Sequence, residues 1–406
     1  MNNLKYVIYC TFYILTICLL LFSFSCNAPG NKKDVSSVRN DSLAGLFKPQ
    51  PQKIKEQDVN TLEPGENAPD FNLPGVNGKF YSLEDFNDAK VLVVIFICNH
   101  CPTAQAYEDR IIQFTQEYKE KGVSVVAIMP NSTFGLLPEE CGYSDLDDSY
   151  ESMIIRAKDK SFNFPYLYDG DNQAVSISYG PVATPHAFVF NSRRKLVYTG
   201  RIDDSEKPGT GNAEDLRNAV NSVLEGKTIE NPVSKAFGCS VKWSWKSEWT
   251  DKVNNDWNNK TVALLEADRT TIKDIIDNKS DKLRLVNVWA TWCAPCVIEY
   301  PELIKLHRMY RNRAFEFVSV SADKPEKRDD VLKFLQSANS AIRNYIYSND
   351  NSYELIESID PGWNGAIPYT MLIEPEGKII YRNQGPVDIL ELKKIIVEHE
   401  LLGRYY

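Results

Sequence analysis

Twice in this chain of 406 residues an apolar, β-branched run stops at two cysteines separated by two residues, and this order constrains the fold most. In the first copy Val91-Leu-Val-Val-Ile-Phe-Ile97 has the length of a buried strand and runs into Cys98-Asn99-His100-Cys101. Tyr107, Ile111, Ile112, Phe114 and Tyr118 then recur at helical spacing, and residues 123–129 read as a second strand. Thr184-Pro185 opens a strand over 187–190, a basic turn leads to 196–201, and a helix is expected near 213–224. The second copy follows the same scheme. Residues 285–289 run into Cys293-Ala294-Pro295-Cys296, and a helix carrying Leu303, Leu306 and Tyr310 leads to a strand at 315–320. Ile367-Pro368 opens 369–373, residues 379–382 pair back, and 389–401 close as an amphipathic helix. The chain is therefore expected to be α/β, with two tandem domains, each a central mixed sheet flanked by helices.

The length agrees with two cores rather than one. With 43% hydrophobic and 25% charged residues the composition is that of an ordinary folded protein. A net charge of -9, without clustered basic residues, argues against nucleic acid as a partner. Lys5 followed by apolar residues 6–24 reads as an export signal, and Ser25 puts a small residue before Cys26. Residues 1–25 are expected to be a lipoprotein signal peptide and Cys26 the lipidation site, with an uncleaved transmembrane anchor as the alternative. Both tether the protein in the cell envelope. Asn27 after the cysteine resembles the sorting pattern of outer-membrane lipoproteins that face the periplasm. Residues 26–61 are polar, with Pro49 and Pro51, and read as a flexible tether. Domains are expected over 62–246 and 248–406, joined by a tryptophan-rich linker near 244–259 that packs rather than swings.

The spacing of each cysteine pair has a chemical consequence. A cysteine just before a helix has its thiolate stabilised by unpaired N–H groups and the dipole, and a second cysteine one turn on can resolve a mixed disulfide. Cys98 and Cys293 are thus expected to attack, with Cys101 and Cys296 resolving. The Thr184-Pro185 and Ile367-Pro368 steps are expected to be cis and to lie against their own cysteine pairs, leaving a backbone edge free for a substrate chain. The pairs are too far apart for a four-cysteine zinc site, which usually spaces them by roughly 15–20 residues. No metal and no cofactor are expected. His100 can stabilise the Cys98 thiolate or lie exposed on the helix, and His186 can face the pair or be structural. Cys141 and Cys239 either pair with each other or remain buried thiols, with no catalytic role assigned. Residues 138–152 read as a polar insertion, either shaping specificity or simply solvated.

At these residues the chain resembles known families. Residues 285–383 are similar to TlpA/ResA-type disulfide reductases in Trp289-Ala-Thr-Trp-Cys-Ala-Pro-Cys296, Glu299-Tyr300-Pro301 and Ala366-Ile367-Pro368. Residues 65–246 resemble the redoxin branch related to alkyl hydroperoxide reductases in Ala68-Pro-Asp-Phe71, Cys98-Asn-His-Cys-Pro102, Gly200-Arg-Ile-Asp-Asp204 and Gly238-Cys-Ser-Val-Lys-Trp243. The resemblance implies a thioredoxin-like fold twice over and dithiol–disulfide exchange with exported protein clients, with electrons from an upstream membrane donor. For Glu299 it implies a proton acceptor for the buried thiol, with a solvent-exposed carboxylate as the alternative; Trp292 either lines the substrate groove or is a packing aromatic. Reduction is the favoured direction, because Cys-Ala-Pro-Cys is similar to the proline-containing motif of thioredoxin. Asn99-His100 against Ala294-Pro295 makes the second pair the more reducing, with electrons passing from Cys293/Cys296 to Cys98/Cys101 if the domains meet. Two alternatives accompany this reading. A thiol peroxidase would use the first domain, although Val94 and Cys98 stand where the PxxxTxxC pattern needs proline and threonine. A non-catalytic metal or haem-maturation carrier would use Cys98, Cys101 and His186.

Overall fold

The computed structural model describes residues 47–404; the expected signal peptide and Cys26 lie outside them. A hairpin of β1 (Asn72–Pro74) and β2 (Phe80–Ser82) precedes β3 (Val91–Phe96), α1 (Pro102–Tyr118), β4 (Val123–Met129), α2 (Tyr150–Asp159), β5 (Tyr166–Tyr168), α3 (Ala174–Tyr179), β6 (His186–Phe190), β7 (Leu196–Gly200) and α4 (Glu214–Leu224). Helix α5 (Ser247–Asn258) then connects to β8 (Leu265–Ala267), α6 (Arg269–Asp277), β9 (Leu283–Trp289), α7 (Ala294–Tyr310), β10 (Phe315–Ser321), α8 (Arg328–Ser337), β11 (Arg343–Tyr347), α9 (Ser352–Ile359), β12 (Tyr369–Ile373), β13 (Ile379–Gln384) and α10 (Ile389–Glu398).

The strands form two mixed sheets, ordered β5-β4-β3-β6-β7 and β13-β12-β9-β10-β11-β8. In the first, β3 runs parallel to β4 and antiparallel to β6; in the second, β9 runs parallel to β10 and antiparallel to β12. Both strands sit inside their sheets with every residue buried, and β3 accordingly reads as an unbroken apolar run, while β9 is apolar except for Arg284 and Asn287, whose side chains bond Glu316 and Thr370. A helix must cross over to join parallel neighbours, so α1 and α7 leave the carboxyl ends of β3 and β9, and the cysteines occupy those exits.

Residues 47–61 carry no helix or strand, as expected of a tether, but they are not free of the first domain. Gln50 and Gln52 donate backbone N–H groups to Asp171, Ile54 donates to Ser244 Oγ, and Thr61 Oγ1 donates to Gly180 O. Polar side chains that supply the backbone with partners hold this strip in place, and the expected tether is shortened accordingly.

The linker packs as expected. Trp243 and Trp245 stack at 4.8 Å, and Trp257 is buried on α5 with its Nε1–H on Asn339 O at 3.1 Å. Arg308 and Arg311 lie over the Trp257 ring and reach Glu139, which sits in a 3₁₀ turn of the first domain at Pro138–Cys141. Arg308 grips Glu139 with both nitrogens, at 2.9 and 3.0 Å. Beside it Gly142 lets the chains touch, since a Cβ there would lie 2.7 Å from Met309 O. Cys141 is buried in the apolar cluster that contains Leu303, Leu306 and Met309. The insertion at 138–152 is thus no solvated loop; it is the surface on which the second domain docks.

This docking engages the later turns of α7. Lys305 pairs with Asp147 and Tyr310 Oη donates to Ser144 O, whereas Cys293 stands at the start of the helix. Lys305 lies about 18 Å along the helix axis from Cys293. The domains meet, through the later turns of α7 rather than through its cysteine-bearing start.

Replacing Glu139 by Ala should cost on the order of 3 kcal/mol, because two partly buried arginines lose their counter-ion. Burial opposes the Glu139 charge, but Arg308 and then Arg311 outweigh it and hold the carboxyl below its usual range. Its contribution is therefore present above about pH 4.3 and lost as pH falls through the depressed value. Urea unfolding of wild type and Glu139→Ala between pH 3 and 7 checks this; a gap that fails to close in acid would contradict it.

Candidate active site: two cysteine pairs

Both X-Pro steps are cis. Local geometry differs between the copies, and the helix start explains how. In the second domain α7 begins at Ala294, so Cys293 is the N-cap, and the Cys296 N–H reaches Cys293 Sγ at 3.4 Å. In the first, Ile97–Cys101 stay outside the helix, α1 begins at Pro102, and Cys101 is the N-cap, taking the Ala104 N–H at 3.5 Å. The expectation that Cys98 precedes a helix is corrected. Asp148 Oδ1 accepts the backbone N–H groups of Asn99 and His100, at 2.9 and 3.0 Å, which holds both residues in the loop. The signal was Pro102, since proline favours the first helical position.

Three cysteines converge here rather than two. Cys98 Sγ lies 3.1 Å from Thr184 Oγ1, Cys101 Sγ lies 3.2 Å from Thr184 O, and Cys239 donates its N–H to Cys101 Sγ at 3.3 Å. As a thiol, Cys101 donates to Thr184 O; ionisation forfeits that bond and keeps the two N–H groups it accepts. Burial opposes the Cys101 charge, yet hydrogen bonds from Cys239 and Cys98, the His100 charge and the Ala104 N–H hold it well below the usual thiol range. Burial pushes Cys98 the other way, well up, assisted by its bond to Cys101 and the Asp148 charge. The surroundings thus favour ionisation at the N-cap cysteine and protonation at Cys98.

His100 is buried rather than exposed on a helix, with Nδ1 2.6 Å from Asp148 Oδ2. Burial disfavours its charge, but Asp148 outweighs burial and raises its pKa. Asn131 Nδ2 also donates to Asp148, at 2.7 Å. His186 does not face the cysteines: its Nδ1 accepts the Val182 N–H and its Nε2 meets Thr199 Oγ1, so both ring nitrogens are used. Burial lowers its pKa to about 4. For a metal, Cys98, His100 and Asp148 bring one ligand atom each within 4.8 Å. Asp148 is already committed to four donors there, so the trio fits a hydrogen-bond network better than an ion.

Cys141 and Cys239 are both free and do not pair, one lying in the second domain's core and the other against Cys101. Asp148 was missed as a site residue because nothing local marks it, and Cys239, although it stands in the Gly238-Cys-Ser-Val-Lys-Trp243 stretch, was given no role. Only the Gly238-Cys239 dipeptide hints at a close approach: Gly238 has φ +141°, and a Cβ there would lie 2.0 Å from Thr184 O.

At the second centre Cys293 and Cys296 form a disulfide. Glu299 is buried one turn on, where it accepts Asn287 Nδ2 at 3.3 Å and the Val387 N–H at 3.0 Å. Burial raises its pKa despite these donors. Ile367 packs against the cluster containing both cysteines, while Trp292 is 70% and Ile298 78% exposed beside them.

Sequence comparison gives a family. The family described as Redoxin matches residues 63–219 and again 266–396, well over half of the chain. This chain belongs to the Redoxin family. The redoxin is similar to the thiol:disulfide interchange protein DsbE of Allochromatium vinosum, 31% identical over 31% of the chain and 62% of that protein. It is also similar to the thiol-disulfide oxidoreductase ResA of Bacillus subtilis, 28% identical over 38% of the chain and 74% of that protein. The chain thus spans about 60% of the length of several curated relatives it matches. Among solved structures, a hypothetical protein of Sinorhizobium meliloti is 34% identical, with 46% of this chain and 98% of that one covered, at a TM-score of 0.41. The redoxin's two domains are thioredoxin-like, as expected.

Proposed function

We propose that this redoxin is a thiol-disulfide oxidoreductase that exchanges dithiols for disulfides on exported proteins through two centres. The observation that carries the reading is a cysteine at a helix N-cap, with a second cysteine three residues away and a cis-proline strand in the same domain, present twice. Cys101 and Cys293 attack, Cys296 resolves at the second centre, and Cys98 is the protonated neighbour at the first. This reverses the roles expected for the first pair. The relatives named as interchange proteins support the chemistry; the clients, and a membrane donor that returns electrons, belong to the proposal. A lipid anchor at Cys26, on the outer membrane facing the periplasm, rests on the apolar segment before it. Among the described residues no helix is long and apolar enough to cross a membrane. Labelling with a radioactive fatty acid, lost in Cys26→Ser, tests the anchor.

More donors stabilise the Cys101 thiolate than the Cys293 one, which keeps the first pair the more oxidising of the two. Trp292 and Ile298 form the exposed apolar surface on which an unfolded client rests at the second centre. Glu299 takes the proton of Cys296 as that thiol attacks.

The proposal is tested at the second centre by trapping. With Cys296→Ser, a mixed disulfide between Cys293 and its clients should accumulate in cells. In the reduced wild type, limited alkylation should label Cys293 well before Cys296, whose sulfur lies behind it at 1% exposure. Preferential labelling of Cys296, or no trapped adduct, would overturn the assignment.

A further inference from the structure

We propose that Cys239 is a third redox-active cysteine of the first centre, which resolves the mixed disulfide on Cys101 by closing a Cys101–Cys239 bond. The inference rests on the reading that Cys101 attacks. It is carried by the place of Cys239, whose backbone lies against Cys101 Sγ and Thr184, and by the charges beside it.

Cys239 is built into the site. Its N–H donates to Cys101 Sγ at 3.3 Å, and its carbonyl takes the Thr184 N–H at 2.9 Å and the Thr184 hydroxyl at 3.4 Å. Gly238 permits this approach, because any side chain there would strike Thr184 O. Cys239 is also the one of the three with exposed surface: Cys98 and Cys101 are 2% and 0% exposed, while Cys239 is half-buried.

The electrostatics separate the two possible resolving thiols. Cys98 is fully buried, so that even when its bond to Cys101 is lost, burial and the Asp148 carboxylate still oppose its ionisation. Cys239 is held protonated chiefly by Cys101, with burial next; Lys242 favours its ionisation and outweighs Asp148, which opposes it here as well. Once Cys101 is spent in a mixed disulfide, the charge that holds the proton on Cys239 is gone. Cys239 therefore becomes a nucleophile when one is needed.

The steps balance with a client disulfide as the oxidant. Cys101 thiolate attacks R–S–S–R′, forming Cys101–S–S–R and releasing R′–S⁻, which takes the proton of Cys239. Cys239 thiolate then attacks the Cys101 sulfur, forming Cys101–S–S–Cys239 and releasing R–S⁻. One disulfide is reduced, and two enzyme thiols lose one electron each.

The test uses the full chain with Cys293 and Cys296 both replaced by Ser, so that only the first centre works, and oxidised insulin as the probe. In that background Cys98→Ser should still reduce one equivalent of insulin disulfide per chain, and peptide mapping should find Cys101 joined to Cys239. Cys239→Ser should prolong the mixed disulfide more than tenfold. If Cys98→Ser instead accumulates the mixed disulfide with Cys239 still alkylatable, or Cys239→Ser resolves at the wild-type rate, the inference is wrong. The Cys98→Ser, Cys239→Ser combination separates this from its premise. An insulin adduct trapped on Cys101 upholds the attacking role whatever Cys239 does, and no adduct would remove both readings.

Discussion

Cys101→Ser is expected to abolish exchange at the first centre, by at least on the order of 10³-fold, the scale for losing a covalent nucleophile. Cys98→Ser should leave the first attack standing. The asymmetry follows from where α1 begins: Cys101, not Cys98, caps the helix and takes the Ala104 N–H, with the Cys239 N–H as a second donor. A thiol of ordinary pKa is only a few per cent ionised at pH 7, whereas one held well below that range is almost fully ionised. In a chain whose second centre is silenced and whose Cys98, Cys141 and Cys239 are replaced by Ser, Ser and Ala, the ultraviolet absorbance of the Cys101 thiolate in the folded protein should therefore be flat through neutral pH and fall only in acid. Stopped-flow insulin reduction by the two variants decides between the sulfurs. Loss of activity in Cys98→Ser with retention in Cys101→Ser would restore the expected order of attack.

The second large effect is expected at Asp148. This carboxylate is fully buried and accepts from Asn99 N, His100 N, His100 Nδ1 and Asn131 Nδ2. Asp148→Ala strips four donors of their acceptor and leaves a buried imidazolium without its anion, which costs about 3–5 kcal/mol. The pH dependence has a definite sign. Burial works against the His100 charge but Asp148 raises its pKa, so the linked stability is in full below about pH 6.5 and lost as pH rises through the raised value. The gap between wild type and Asp148→Ala in urea should thus be widest near pH 6 and narrower at pH 9. Asp148→Asn, which keeps the size and can still accept, separates the charge from the packing: it should recover part of the stability while Cys101 alkylation at pH 7 stays slow. A gap that widens with pH would show that His100 is neutral in the folded chain.

Much of the fold was legible before any coordinates. The fully buried β3 announced itself as a continuous apolar run and β9 as a mostly apolar one, and the two X-Pro steps marked β6 and β12. At the second centre the reading placed Cys293 at the helix start and Glu299 one turn behind Cys296, and both are there. The first centre was less legible. Pro102 carried the information that α1 starts late, but the Asp148 carboxylate that occupies the Asn99 and His100 amides comes from an insertion that looked merely polar. Glu139, equally unremarkable in sequence, proved to be the anchor of the second domain.

What the sequence by itself determined is whatever neighbours along the chain decide: strand against helix, the spacing of each cysteine pair, the caps and the proline steps. These depend on periodicity and on backbone chemistry within a few residues. What only the tertiary structure decided is which distant groups share a buried volume. Cys239 meets Cys101 and Asp148 meets His100 because a buried donor or charge must find its partner wherever the fold supplies one, and α7 docks at its far end because Glu139, Gly142 and Cys141 fit there. Satisfaction of buried polar groups is a property of the packed chain, and no local pattern records it.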